Sequence, residues 1–145
     1  MNKIKEKFII KELTYLKLNN MNEKDIFVEN LKKRTRKFGV DVILFCDSLK
    51  QKKASSVVTY QLVKSATSIG ANYRAACRGR SQAEFFSKIC IVVEEADESI
   101  FWLEVIEESD LSNDNTELKR LLIEGTEILK IMTKTKDSTY KNLNS

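Results

Sequence analysis

No proline interrupts this chain of 145 residues, and it holds only four glycines. Without proline, every backbone amide can donate and no ring forces a kink. With 32% charged residues, that composition points to long helices. The stretch from Gln61 to Glu84 predicts the end of one helix, a tight break and the start of the next. Leu62, Ala66, Ile69, Tyr73 and Ala76 recur at three- and four-residue spacings, so they share one helical face. Gln61, Ser65, Ser68 and Asn72 form a second, polar stripe that helix propensity does not explain. Ser65, Ala66, Gly70 and Ala71 are small enough for another helix to come close. Gly79 is expected to cap the C-terminus of that helix. Ser81-Gln82-Ala83-Glu84 reads as a capping box, with Ser81 accepting from the Glu84 amide and Glu84 reaching back.

The same periodicity places three more long helices. The first runs from about Asp25 to Leu49, striped by Leu31, Phe38, Val42, Phe45 and Leu49, with Arg34 or Thr35 filling the gap after Leu31. After the central helix, from about Ala54 to Arg78, the next spans Gln82 to about Ser109 through Phe86, Ile89, Val93, Ala96, Ile100 and Leu103. The last spans about Thr116 to Lys134 through Leu118, Leu122, Gly125, Leu129 and Met132. Gly125 costs about 1 kcal/mol against Ala in a helix, so its place on the stripe suggests a close crossing. The expected fold is all-α, an up-down-up-down four-helix bundle over residues 22–136. Residues 1–21 form an extension that could be a short amphipathic helix, and 137–145 a frayed polar tail.

Charge is unevenly spread. From Lys24 to Lys53 nine Lys or Arg face four acids, and from Lys64 to Lys88 five face Glu84 alone. From Glu94 to Glu117 there are ten acids and no cation. A fold with one basic and one acidic half suits a polyanion on the basic side, or copies that meet basic face to acidic face. The candidate nucleic-acid residues are Lys32, Lys33, Arg36, Lys37, Lys64, Arg74, Arg78 and Arg80, with Lys88 nearby and Tyr73 beside the arginines. A merely solvated cationic face is the competing interpretation. A structural polar network is expected from Arg34, Ser65, Ser68, Asn72, Glu94, Glu95 and Glu98, in which Arg34 pairs with an acid of the third helix. The alternatives are Arg34 on a phosphate, and serines bonded to their own helix. One of Phe101 and Trp102 must face away from the core.

The chain has no histidine, which argues against a Glu-x-x-His di-metal site and against a Ser-His or Cys-His nucleophile. Cys46, Cys77 and Cys90 lack CxxC spacing and read as reduced thiols of a cytoplasmic protein. No run approaches the roughly 20 apolar residues of a membrane span. No catalytic, cofactor or metal residue is therefore assigned, and an enzyme is not expected.

Several stretches together resemble a known family: Arg34-Thr35-x-x-Phe38, Val42-Ile43-x-x-Cys46, the run from Gln61 to Arg74, Ser81-x-Ala83-Glu84-Phe85, Lys88-Ile89, the run from Glu94 to Glu98, and Phe101-Trp102-Leu103-Glu104. The chain resembles the bacterial four-helix bundle family that includes the 23S ribosomal RNA intervening-sequence proteins, over roughly Asn22 to Lys134. It departs in Ala75, where the family usually has Glu, in Gly39 for Ala, and in lacking Pro after Leu49. The resemblance implies a homopentameric ring with no established catalytic activity. It also implies likeness to the accessory proteins of diversity-generating retroelements, which bind nucleic acid and a reverse transcriptase. Structured RNA, a reverse transcriptase and further copies of the chain are thus the expected partners.

Overall fold

The computed structural model describes residues 2–145, the side chain of Leu18 excepted. Among the described residues there are five helices and no strand: α1 (Lys3–Asn19), α2 (Glu23–Cys46), α3 (Ser55–Cys77), α4 (Gln82–Glu108) and α5 (Asn115–Leu143). The chain divides into two units, Met1–Leu31 and Lys32–Ser145.

In the first unit, α1 is exposed along its described length. The start of α2 is fixed by Asn22, whose side-chain oxygen accepts from the Asp25 amide at 2.9 Å while Asp25 accepts from the Asn22 amide at 3.4 Å. This reciprocal pair satisfies two amides that a helix start otherwise leaves unpaired.

In the second unit the helices pack in antiparallel pairs. A Cβ added at Gly39 would lie 3.4 Å from Thr67, and one at Gly70 3.2 Å from Arg36 and Thr35, so α2 and α3 run past each other in opposite directions. The Gly70 contact is backbone against backbone. The salt bridges Arg34–Glu124 and Asp41–Arg120 set α5 antiparallel to α2. α4 packs on α3 and on α5, and the Phe86 ring meets that of Tyr140 at 5.8 Å. At Gly125 the neighbours are side chains: an added Cβ would lie 3.4 Å from Phe38 and from Ile100. The missing side chain there accommodates the Phe38 ring.

Burial corrects two expected stripes and decides an alternative on a third. On α4 the buried positions are Ile89, Val92, Ala96, Ser99, Leu103 and Ile106, so Val92 and Ser99 replace Val93 and Ile100. On α5 they include Leu118, Leu121, Gly125, Ile128 and Met132, so Leu121 and Ile128 replace Leu122 and Leu129. On α2 Thr35 fills the gap at 0% exposure. The tail expected to fray is helical to Leu143, because buried Thr139 extends the same stripe and Tyr140 rests on Phe86.

The ends are closed by specific bonds. α4 stops at Ser109. Asp110 then adopts φ 54°, and the amides of Asp110 and Leu111 bond the carbonyls of Glu107 and Ile106 at 3.2 and 3.1 Å. That is a Schellman motif with Asp at the left-handed position glycine usually takes. The Lys50 amide bonds the Leu111 carbonyl at 2.8 Å, and the Lys50 ammonium pairs with Asp110 at 2.8 Å, tying the α2–α3 connection to the α4–α5 connection. Gly79 differs from expectation: it has no positive φ. Its role is steric, since an added Cβ would sit 3.0 Å from the Ala76 carbonyl oxygen.

Candidate nucleic-acid interface

The α2–α3 crossing sets the cations. Their antiparallel register sets Arg36 against Gly70. One turn further along lie Arg74 on α3 and, at the same level, Lys32 and Lys33 on α2. Lys33, Arg36, Lys37, Lys64, Arg74, Arg78 and Arg80 are exposed, and Lys32 is half-buried. Arg78 caps α3. The amide of Arg80 donates to Glu84 at 2.7 Å, one residue before the expected reach to Ser81, and Ser81 accepts from the Glu84 amide at 3.1 Å. The one acid in the Lys64–Lys88 stretch is thus engaged in capping.

Lys37 and Lys64 meet acids within the fold. Lys37 pairs with Asp41 at 2.9 Å. Lys64 lies within Coulombic reach of Glu95, whose carboxyl is raised above its ordinary value by burial first and by Glu98 second. Lys33, Arg36, Arg74, Arg78 and Arg80 form no ion pair among the described residues. Tyr73 does not join them: its ring is 3% exposed and belongs to the core.

The expected polar network resolves into separate pieces. Arg34 reaches Glu124 of α5 at 2.6 Å, not Glu94, Glu95 or Glu98, because α5 lies along this flank of α2. Ser65 bridges two helices. The Ser99 hydroxyl donates to the Ser65 oxygen at 3.1 Å, and Ser65 donates to the Leu62 carbonyl at 3.1 Å. Ser68 and Asn72 bond their own helix, at the carbonyls of Lys64 and Ser68. Ser99 was missed because a serine at a core position looks like a break in the apolar pattern. Trp102 is half-buried, its indole N–H donating to Glu98 at 3.2 Å, while Phe101 faces out.

Asp41 accepts from both Lys37 and Arg120. Burial opposes its ionisation, but those two bonds outweigh burial and hold its carboxyl below the ordinary value. Its contribution is therefore present above about pH 4, the unfolded value, and is lost as pH falls through the lower folded value. Asp41→Asn should cost about 1 kcal/mol at neutral pH and low salt. In urea unfolding followed from pH 7 to 2, the gap to the parent chain should close in the acid range. A constant gap would show that the charge is not the cause.

The sequence pattern of the 23S rRNA-intervening sequence proteins matches residues 29–134. The chain belongs to that family. A crystal structure of an S23 ribosomal protein family member of unknown function, from Bacteroides thetaiotaomicron, is similar to it at 27% identity and a TM-score of 0.67. That similarity covers 76% of this chain and 97% of the other. A search of the curated proteins finds no match. In this chain, α1 precedes the matched region. The cations on α2 and α3 lie within it. No helix among the described residues is long and apolar enough to cross a membrane.

Proposed function

We propose that this chain is a non-enzymatic, homo-oligomeric protein of the cytoplasm that binds structured RNA through the cations of α2 and α3. Its four long helices form an up-down-up-down bundle, supported by the antiparallel pairings of α2 with α3 and α5 and by the packing of α4 on both. The reading rests on one observation: five exposed cations on two crossing helices and the turn after them form no side-chain ion pair among the described residues. Such a face positions phosphates without reading bases. The acidic α4 supports head-to-tail contacts between copies, and a pentameric ring is the closed form we favour.

Filter binding of 23S rRNA fragments across a salt series tests the reading. Affinity should fall with a log–log slope of roughly −0.7 to −0.9 per phosphate contact. Changing Arg74, Arg78 and Arg80 together to Ala should make that slope shallower by about two while the solution mass stays unchanged. No retention even at low salt would end the proposal. A second reading is favoured by the exposed Val40, Ile43 and Leu44, which continue the outer face of α2 beyond its cations. On it the oligomer is a scaffold for a protein partner such as a reverse transcriptase, and the triple change would dissociate the oligomer instead.

A further inference from the structure

α4 presents one outward strip whose chemistry is unusual for a solvated face. Glu94, Asp97, Glu98, Phe101, Glu104 and Glu108 fall on one side of the helix, and all are exposed. Phe101 is 52% exposed in the middle of these carboxylates, its ring edge-on to Trp102 at 5.0 Å. None of the strip's acids takes part in an ion pair among the described residues. The strip's natural complement is a helix with an aromatic centre and cations beside it.

The chain carries such a helix. α1 has five lysines against two glutamates. Ile4, Phe8, Lys11 and Tyr15, at spacings of four, three and four, lie on one of its faces, with Lys7 on the flank. Ile4, Phe8 and Tyr15 are all exposed. At 1.5 Å per residue α1 spans about 25 Å and the Glu94–Glu108 strip about 21 Å, so the lengths agree. α1 also lies outside the matched region, residues 29–134.

We infer that α1 of one copy lies along the Glu94–Glu108 strip of a second copy, with Phe8 over Phe101, Ile4 and Tyr15 on either side of it along the strip, and the lysines beside the carboxylates. This arm would tie neighbouring copies together at a site distinct from the RNA-binding cations. It rests on the self-association proposed above.

The test places a photoreactive benzoylphenylalanine at position 8 of the full chain. Unlabelled and nitrogen-15-labelled chains are mixed before irradiation, and cross-linked peptides are read by mass spectrometry. Hybrid-isotope cross-links to the peptide around Phe101 are expected. They should fall at least tenfold with Lys7→Glu and Lys11→Glu, and return when those chains are mixed with Glu98→Lys, Glu104→Lys partners. Cross-links within one chain only, or to any helix but α4, would overturn the inference. So would capture of α1 by phosphatidylserine vesicles without hybrid cross-links, which would assign the helix to a lipid surface. Light scattering on the same samples separates the two levels. An oligomer that cross-links elsewhere defeats the arm alone, whereas a single-chain mass defeats self-association as well.

Discussion

Phe38→Ala should destabilise the protein by about 3–5 kcal/mol, the range for losing a fully buried phenyl ring. Phe38 is 1% exposed, and its ring tip fills the space left by the absent side chain at Gly125. The two positions therefore share one volume contributed by α2 and α5. Gly125→Leu alone should also destabilise, by about 2 kcal/mol, because the new side chain meets Phe38 and Ile100 in a packed interior. The double variant should lose less than the sum of the single changes, since leucine enters the cavity that Phe38→Ala opens. Contacting residues commonly couple by about 0.5–3 kcal/mol. Urea unfolding followed by circular dichroism measures all four corners of this cycle. Strict additivity would mean that the ring and the glycine do not compete for the same space.

How much of this was readable beforehand depended on what kind of signal each residue sends. Helix existence was legible because apolar spacing repeats without proline. Helix facing was legible only where the two neighbours differ in polarity in the expected sense. Leu121 and Leu122 are both leucines, and Ile128 and Leu129 are both apolar, so periodicity alone could not fix the rotation of α5. On α4 the buried Ser99 made Ile100 look like the better core residue. The tail was misjudged for a related reason: Thr139 occupies a core position that pattern reading reserves for apolar residues. The cationic candidates were legible as exposed charge. Their partners were not, because ion pairs depend on which helices adjoin and in what register. Arg34 could not be assigned to Glu124 until α5 was known to flank α2. Tyr73 adjoins Arg74 in sequence, but the helical stripe containing Leu62, Ala66 and Ile69 puts it on the inner face, and it is buried there.

Gly70→Leu should cost about 3 kcal/mol, at the upper end for overpacking, and should weaken RNA binding too. The reason is the kind of atom it would meet. A Cβ at position 70 lies 3.2 Å from the Arg36 amide nitrogen and the Thr35 carbonyl carbon, and 3.3 Å from the Arg36 Cα. No flexible side-chain end can swing aside, so α2 and α3 must move apart. Arg36 is one of the unpaired cations, and Arg74 stands one helical turn beyond Gly70 on α3. Separating the helices therefore shifts the two halves of the cationic face against each other. A phosphate chain that spanned both should lose one or two contacts, read as a shallower salt dependence by roughly 0.7–0.9 for each. Gly70→Ala is the graded control. It gains about 1 kcal/mol in helix propensity, and the backbones need give only slightly, so its stability should stay within about 1 kcal/mol of the parent. If Gly70→Leu lowers stability but leaves the salt slope untouched, the RNA engages only one of the two helices. If it unfolds at the same urea concentration as the parent, the α2–α3 crossing is not as close as the backbone positions require.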